Sequence, residues 1–189
     1  MAGTVPPAGR YFLSRSWGER QQLGGWGWMV AEEPAVDFAV AVVREEGSWV
    51  ATALPPHMSA DLAVLLTTLR QQATEGSALG LVSVEDDYFV LVRIAGDDVR
   101  LLVSDVTAAP DSALAREVVD MLDRPQPDED ESVQPGGDLS LIADLGVDAM
   151  ELGALCDEID LYPDEVLGEI ATRLGFGAQF DAAVESAPQ

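Results

Sequence analysis

The chain has 189 residues, ten arginines, no lysine, one histidine, one cysteine and a formal net charge of −24. Without lysine there is no P-loop lysine, Schiff-base lysine or pyridoxal anchor. One histidine (His57) and one cysteine (Cys156) cannot build a zinc site and allow no internal disulfide.

Residues 1–36 read as an N-terminal extension, either disordered or preceding a true start at Met29. Three of the four tryptophans, Trp17, Trp26 and Trp28, lie there. If translated, they suit aromatic anchoring to a partner. Residues 37–122 read as an α+β domain. The β-rich runs Phe38–Val43 and Trp49–Leu54 flank a Glu46-Gly47-Ser48 turn. Ser59 is the expected cap of a helix carrying Leu62, Leu65, Leu66 and Leu69. Three strands follow, Leu79–Glu85, Tyr88–Ala95 and Val99–Asp105, separated by Asp86-Asp87 and Gly96-Asp97-Asp98 turns. Pro110-Asp111-Ser112 opens a second helix. The order ββαβββα predicts an antiparallel-rich sheet with helices over one face.

Residues 123–137 form an acidic, proline-rich linker, with Asp128, Glu129, Asp130 and Glu131 in succession. Residues 138–186 read as an all-helical region. Asp148 caps one helix, Pro163-Asp164-Glu165 opens another, and Gly146 and Gly175 sit at helix ends followed by Val147 and Phe176. The two glycines lie 29 residues apart, a hint of a duplicated helical unit.

Charge follows the same divisions. Residues 1–28 carry three arginines against Glu19 alone, whereas residues 125–189 carry 16 acids against Arg173 alone. Such acidity repels nucleic-acid phosphates and anionic headgroups. It disfavours direct nucleic-acid or membrane binding and favours a basic protein partner or imitation of nucleic-acid charge. High solubility is the plainer explanation. No run of about 18 apolar residues predicts a membrane span, and no secretory signal is evident. The lone cysteine fits a reducing compartment, so the expected location is the cytoplasm.

Constellations for chemistry are sparse. His57 lies in a Pro-Pro-His-Met loop, without a G-x-S-x-G nucleophile motif. A hydrolase site around His57, Ser104 and Asp105 rests on residue identity alone. Cys156 precedes Asp157-Glu158, whose charges disfavour a thiolate. Gly175-Phe-Gly-Ala-Gln-Phe180 follows a helix instead of a strand and so fails as a dinucleotide fingerprint. Glu85-Asp86-Asp87 lacks calcium-loop spacing. No cofactor is expected. A hairpin closing at Gly96-Asp97 places Arg93 opposite Arg100. Like charges so placed need acids nearby, with Asp105, Glu85 or Asp87 expected. Otherwise Arg93 and Arg100 form an anion or partner contact. The acidic run Asp128–Glu131 is the candidate partner-binding segment.

The stretch Leu81–Ile94, continuing through Val99–Asp105, resembles the actinobacterial tRNA adenosine deaminase-associated proteins. Gly137-Asp-Leu-Ser-Leu-Ile-Ala-Asp-Leu-Gly146 and Arg173-Leu-Gly-Phe176 share the likeness, which spans roughly Asp37 to Val184. The resemblance implies a non-catalytic accessory or regulatory partner of tRNA adenosine deaminase in wobble adenosine editing, acting by protein–protein contact. It supplies no catalytic residues. The chain cannot itself be the zinc deaminase, which needs H-x-E and P-C-x-x-C; here His57 precedes Met58-Ser59. The alternative is an acidic nucleic-acid mimic or adaptor for another basic protein.

Overall fold

Loops with positive backbone φ angles set the hairpins of the first half. A computed structural model describes residues 36–73, 76–128, 132–158 and 160–187. The expected extension, its tryptophans and Glu129–Glu131 lie outside these residues, apart from Val36. Strands β1 (Val36–Glu45) and β2 (Ser48–Leu54) join through Glu46 and Gly47 at φ 51° and 80°. This mirror-image turn matches the twist of its strands. Strands β3 (Ser77–Val84) and β4 (Tyr88–Ala95) turn at Glu85 and Asp86, φ 52° and 53°. Asp37 of β1 secures that tip: its carboxylate accepts bonds from Ser83 Oγ at 3.2 Å and the Asp86 amide at 3.0 Å. Gly96, φ 61°, turns β4 into β5 (Asp98–Val103).

Helix α1 (Leu62–Gln72) is capped by Asp61, which accepts from the Val64 amide at 2.9 Å, and not by Ser59. Ser59 is instead buried at the end of a short 3-10 turn, Pro56–Met58, with its hydroxyl donating to the Pro56 carbonyl. The 3-10 turn that starts at Pro56 runs into Ser59 and closes there, so the helix begins two residues later at the Asp61 cap. Helix α2 (Ala113–Met121) starts just after the expected Pro110-Asp111-Ser112 opening, with Ser112 as its cap. The order ββαβββα is observed.

The chain then adds β6 (Gly136–Gly137) and helices α3 (Ala149–Cys156), α4 (Pro163–Arg173) and α5 (Gly177–Glu185). Asp148 caps α3 through the Met150 and Glu151 amides, both at 2.9 Å. Glu165 accepts from the Tyr162 amide at the start of α4. Gly175, φ 85°, ends α4, with the Phe176 amide donating back to the Ala171 carbonyl and the Phe176 ring fully buried.

All six strands form one antiparallel sheet, ordered β2-β1-β3-β4-β5-β6. Side chains alternate across it. Ala39, Val82, Val90 and Val92 meet α1 and α2 on the first face. Val40, Leu81, Phe89 and Leu91 meet the C-terminal helices on the second. The helices therefore cover both faces, not one, and the 138–186 region shares the sheet's core. Strands buried on both sides read as continuous apolar runs such as Tyr88–Val92, which do not reveal how many faces are covered.

The passage between faces is β6, at the end of the expected linker. Gly136 pairs with Val103, and Gly137 with Leu102. A β carbon on Gly137 would stand 2.1 Å from the Leu101 carbonyl oxygen, at a φ of 118°. Only glycine allows so close a crossing.

Candidate functional site: an acidic cleft at the strand ends

The β3–β4 tip, the end of β5 and the α3–α4 loop converge on a cleft of about 480 Å³. Its floor is apolar, formed by Phe89, Leu155 and Val166. Five carboxylates line it: Asp86, Asp87, Asp105, Glu158 and Asp160. No arginine does. At the rim stand Leu161, Tyr162 and Val133, exposed by 38%, 62% and 70%. The cleft thus sets exposed apolar groups beside carboxylates.

The local sequence explains this placement. The mirror-image turn pushes Asp86 and Asp87 outward together. Partial burial, with Asp105 and Glu85 as further charges, raises the Asp87 carboxyl above its ordinary value. Asp105 is nearly buried, and its carboxylate accepts from Thr107 N at 2.8 Å and Thr107 Oγ1 at 2.7 Å. Ser104 Oγ accepts from the Phe89 amide at 2.9 Å. Both residues are thus tied into local structure, and His57, exposed in its 3-10 turn, does not line the cleft. Cys156 does; burial, then the charge of Asp157, pushes its thiol up to about 12.

Arg93 and Arg100 stand opposite each other as expected. Their acids are different from those expected. Arg93 donates to both carboxylate oxygens of Asp144, with Nη2–Oδ2 at 2.7 Å, and to the Leu141 carbonyl at 2.8 Å. Arg100 pairs with Asp98 at 2.8 Å and lies 3.8 Å from Asp138. The reason is the covered second face: the two arginines project into the segment that follows β6, while Glu85, Asp87 and Asp105 lie toward the opposite strand ends. Arg93 holds the Asp144 carboxyl below its ordinary value. Both arginines fasten the C-terminal region to the sheet.

Asp128 is exposed. Val133, five residues beyond it, reaches the cleft rim, so the acidic segment and the cleft are adjacent along the chain. Sequence reasoning identified Glu85–Asp87 and Asp105 separately but missed Glu158, Asp160 and Tyr162; the signal was an exposed aromatic beside acids immediately before Pro163. Among the described residues no cluster of His, Cys, Asp or Glu is arranged to hold a metal ion, and no helix is long and apolar enough to cross a membrane. Gly175 and Gly177 form the α4–α5 junction, following a helix and not a strand.

No solved structure gives a significant match to the chain. Protein Rv3753c of Mycobacterium tuberculosis (strain ATCC 25618 / H37Rv) is 43% identical over 161 residues, covering 82% of this chain and 93% of the relative. The family model described as Rv3753c-like tRNA adenosine deaminase-associated protein matches residues 37–177, which span the sheet and helices α1 to α4 and stop where α5 begins. With its sheet, its crossing glycines and helices α1 to α4 inside that match, the chain belongs to the Rv3753c-like tRNA adenosine deaminase-associated protein family.

Proposed function

We propose that this protein is a non-catalytic accessory factor of tRNA adenosine deaminase, acting in the cytoplasm on wobble adenosine editing through direct protein contact. The carrying observation is the cleft: among the described residues it has five carboxylates and no arginine, with an apolar floor and an exposed Tyr162. An enzyme that works on tRNA must present positive potential to a polyanion. A basic side chain from such an enzyme finds carboxylates at the rim and apolar surface for its aliphatic stem at the floor. The acidic run Asp128–Glu131, which precedes the rim residue Val133 in the sequence, adds further negative charge to the chain. We place the contact here and not at Arg93 and Arg100, because Arg93 and Arg100 are engaged by this chain's own acids. The family description supports the choice of partner, and the missing zinc signature supports a non-catalytic role.

The test is gel filtration of this protein with the purified tRNA adenosine deaminase of the same organism. The two co-elute at low salt and separate as salt screens the charges. Separate elution at low salt contradicts the direct contact. The alternative, a nucleic-acid mimic or adaptor for a different basic protein, draws on the same acidity. A pull-down that recovers another nucleic-acid-binding enzyme in place of the deaminase selects it.

A further inference from the structure

Strand β2 is a long, open sheet edge. The residues flanking its two-residue turn, Glu45 and Ser48, form the closing hydrogen-bonded pair with β1. By alternation Ser48, Val50, Thr52 and Leu54 direct their backbone groups at β1, and Trp49, Ala51 and Ala53 direct theirs outward. Among the described residues, no bond outside the ladder uses the backbone of these three. The usual protections of an edge are missing: β2 has no charge, no proline and no bulge. The opposite edge, β6, is only two residues long, and the chain beside it is tied down where the Val106 amide donates to the Gln134 carbonyl.

Strand β2 and the residues that follow it are uncharged in a chain with 34 acids, although the Arg44 guanidinium of β1 stands 4.5 Å from the Trp49 ring. From Gly47 to Ala60 there is no Asp, Glu or Arg. A groove of about 520 Å³ runs between β2 and α5, and α5 faces it with Gln179, Ala182 and Ser186. The acids of α5, Asp181 and Glu185, line a separate hollow beside Phe38.

We propose that the β2 edge and the α5 stripe beside it are the interface with a second copy of this chain. Two bodies of charge −24 repel wherever their acids meet, so self-association needs a surface without them, and this is one. A cationic partner, by contrast, finds no complement here. The strand also matches itself: a two-fold axis at Ala51 sets Ala51 against its counterpart and Trp49 against Ala53. The three outward-facing residues of each strand then pair as hydrogen-bonded partners in one continuous antiparallel sheet.

The experiment is sedimentation velocity of the full chain at rising concentration, with two variants of unchanged far-UV circular dichroism. Ala51→Pro removes an outward N–H and leaves the β1 ladder intact. Ala182→Glu puts a like charge on the exposed α5 stripe. The wild type sediments as a species of twice 20.1 kDa, with dimerisation strengthened by salt, and each variant sediments as a monomer at the same loading. A wild type that stays monomeric at every concentration overturns the proposal. So does a dimer that survives in both variants. The salt response is opposite in sign to that of the cleft contact, so the two readings fail independently.

Discussion

The two faces of the sheet bury comparable apolar surfaces but handle charge differently. On the first face, α1 and α2 close over Leu65, Leu69, Val90 and Val118, and Tyr88 and Ser112 satisfy each other's hydroxyls. On the second, the helices pack on Phe89 and Leu102 but are also fastened by arginine: Arg93 to Asp144, Arg100 to Asp98 and Asp138, Arg173 to Glu151 and Glu169. The first face is held by core packing, with the Glu117 carboxylate accepting from the Leu62 amide at 2.8 Å and no arginine–carboxylate pair among the described residues. The second receives an acid-rich segment, uses three of the ten arginines to hold it, and contributes Glu158 and Asp160 to the cleft. The excess acidity that the core does not consume is what the surface has to offer.

The strongest perturbation of this contrast is Phe176→Ala. The ring is fully buried beneath α4 and stacks 5.3 Å from Trp49 of the sheet. The substitution costs about 3–5 kcal/mol, measured by urea unfolding. Because the helices share the sheet's second core, unfolding remains one cooperative transition. Helices that melt before the sheet would make the second face a separate domain.

Asp144→Asn comes next. It leaves the Arg93 guanidinium buried with its charge uncompensated, beside an Nε that already has no partner among the described residues. Because Asp144 is itself 62% exposed, the loss is about 1–2 kcal/mol. The Asp144 carboxyl sits below its ordinary value. Its stabilisation is therefore present above the unfolded value and disappears as pH falls through the lowered folded value. Wild type and variant converge in acid.

Asp87→Asn has the smallest effect on stability and the opposite sign. The raised Asp87 carboxyl favours folding only while protonated, and that contribution is lost as pH rises through its folded value. The variant gains less than about 1 kcal/mol at neutral pH, given how exposed the group is, and the gain vanishes at low pH. A loss of stability at neutral pH would show that Asp87 is held by the fold and not strained by its neighbours.

Much of the first half was legible because turns announce themselves. Glu46-Gly47 and Gly96-Asp97 fixed both hairpins, and with them the Arg93–Arg100 register. Ser59 was misread because a capping residue after Pro-Pro can end one turn as well as begin the next helix. Gly136-Gly137 read as linker because two glycines signal flexibility in sequence, whereas here they permit a close crossing over β5. The second covered face was hidden in runs such as Leu79–Val82, apolar at every position whether one layer or two lies above them. The cleft was hidden for another reason: its acids come from Asp86, Asp105 and Glu158, and only the fold brings them together.

The most direct test of the cleft is a calorimetric titration of the tRNA adenosine deaminase with wild type and with a variant carrying Asp86→Asn, Asp87→Asn, Glu158→Gln and Asp160→Asn. The account predicts binding by the wild type that weakens with salt, and at least tenfold weaker binding by the variant, equal to about 1.4 kcal/mol or more. Equal affinity for both proteins, with the same salt dependence, would contradict it.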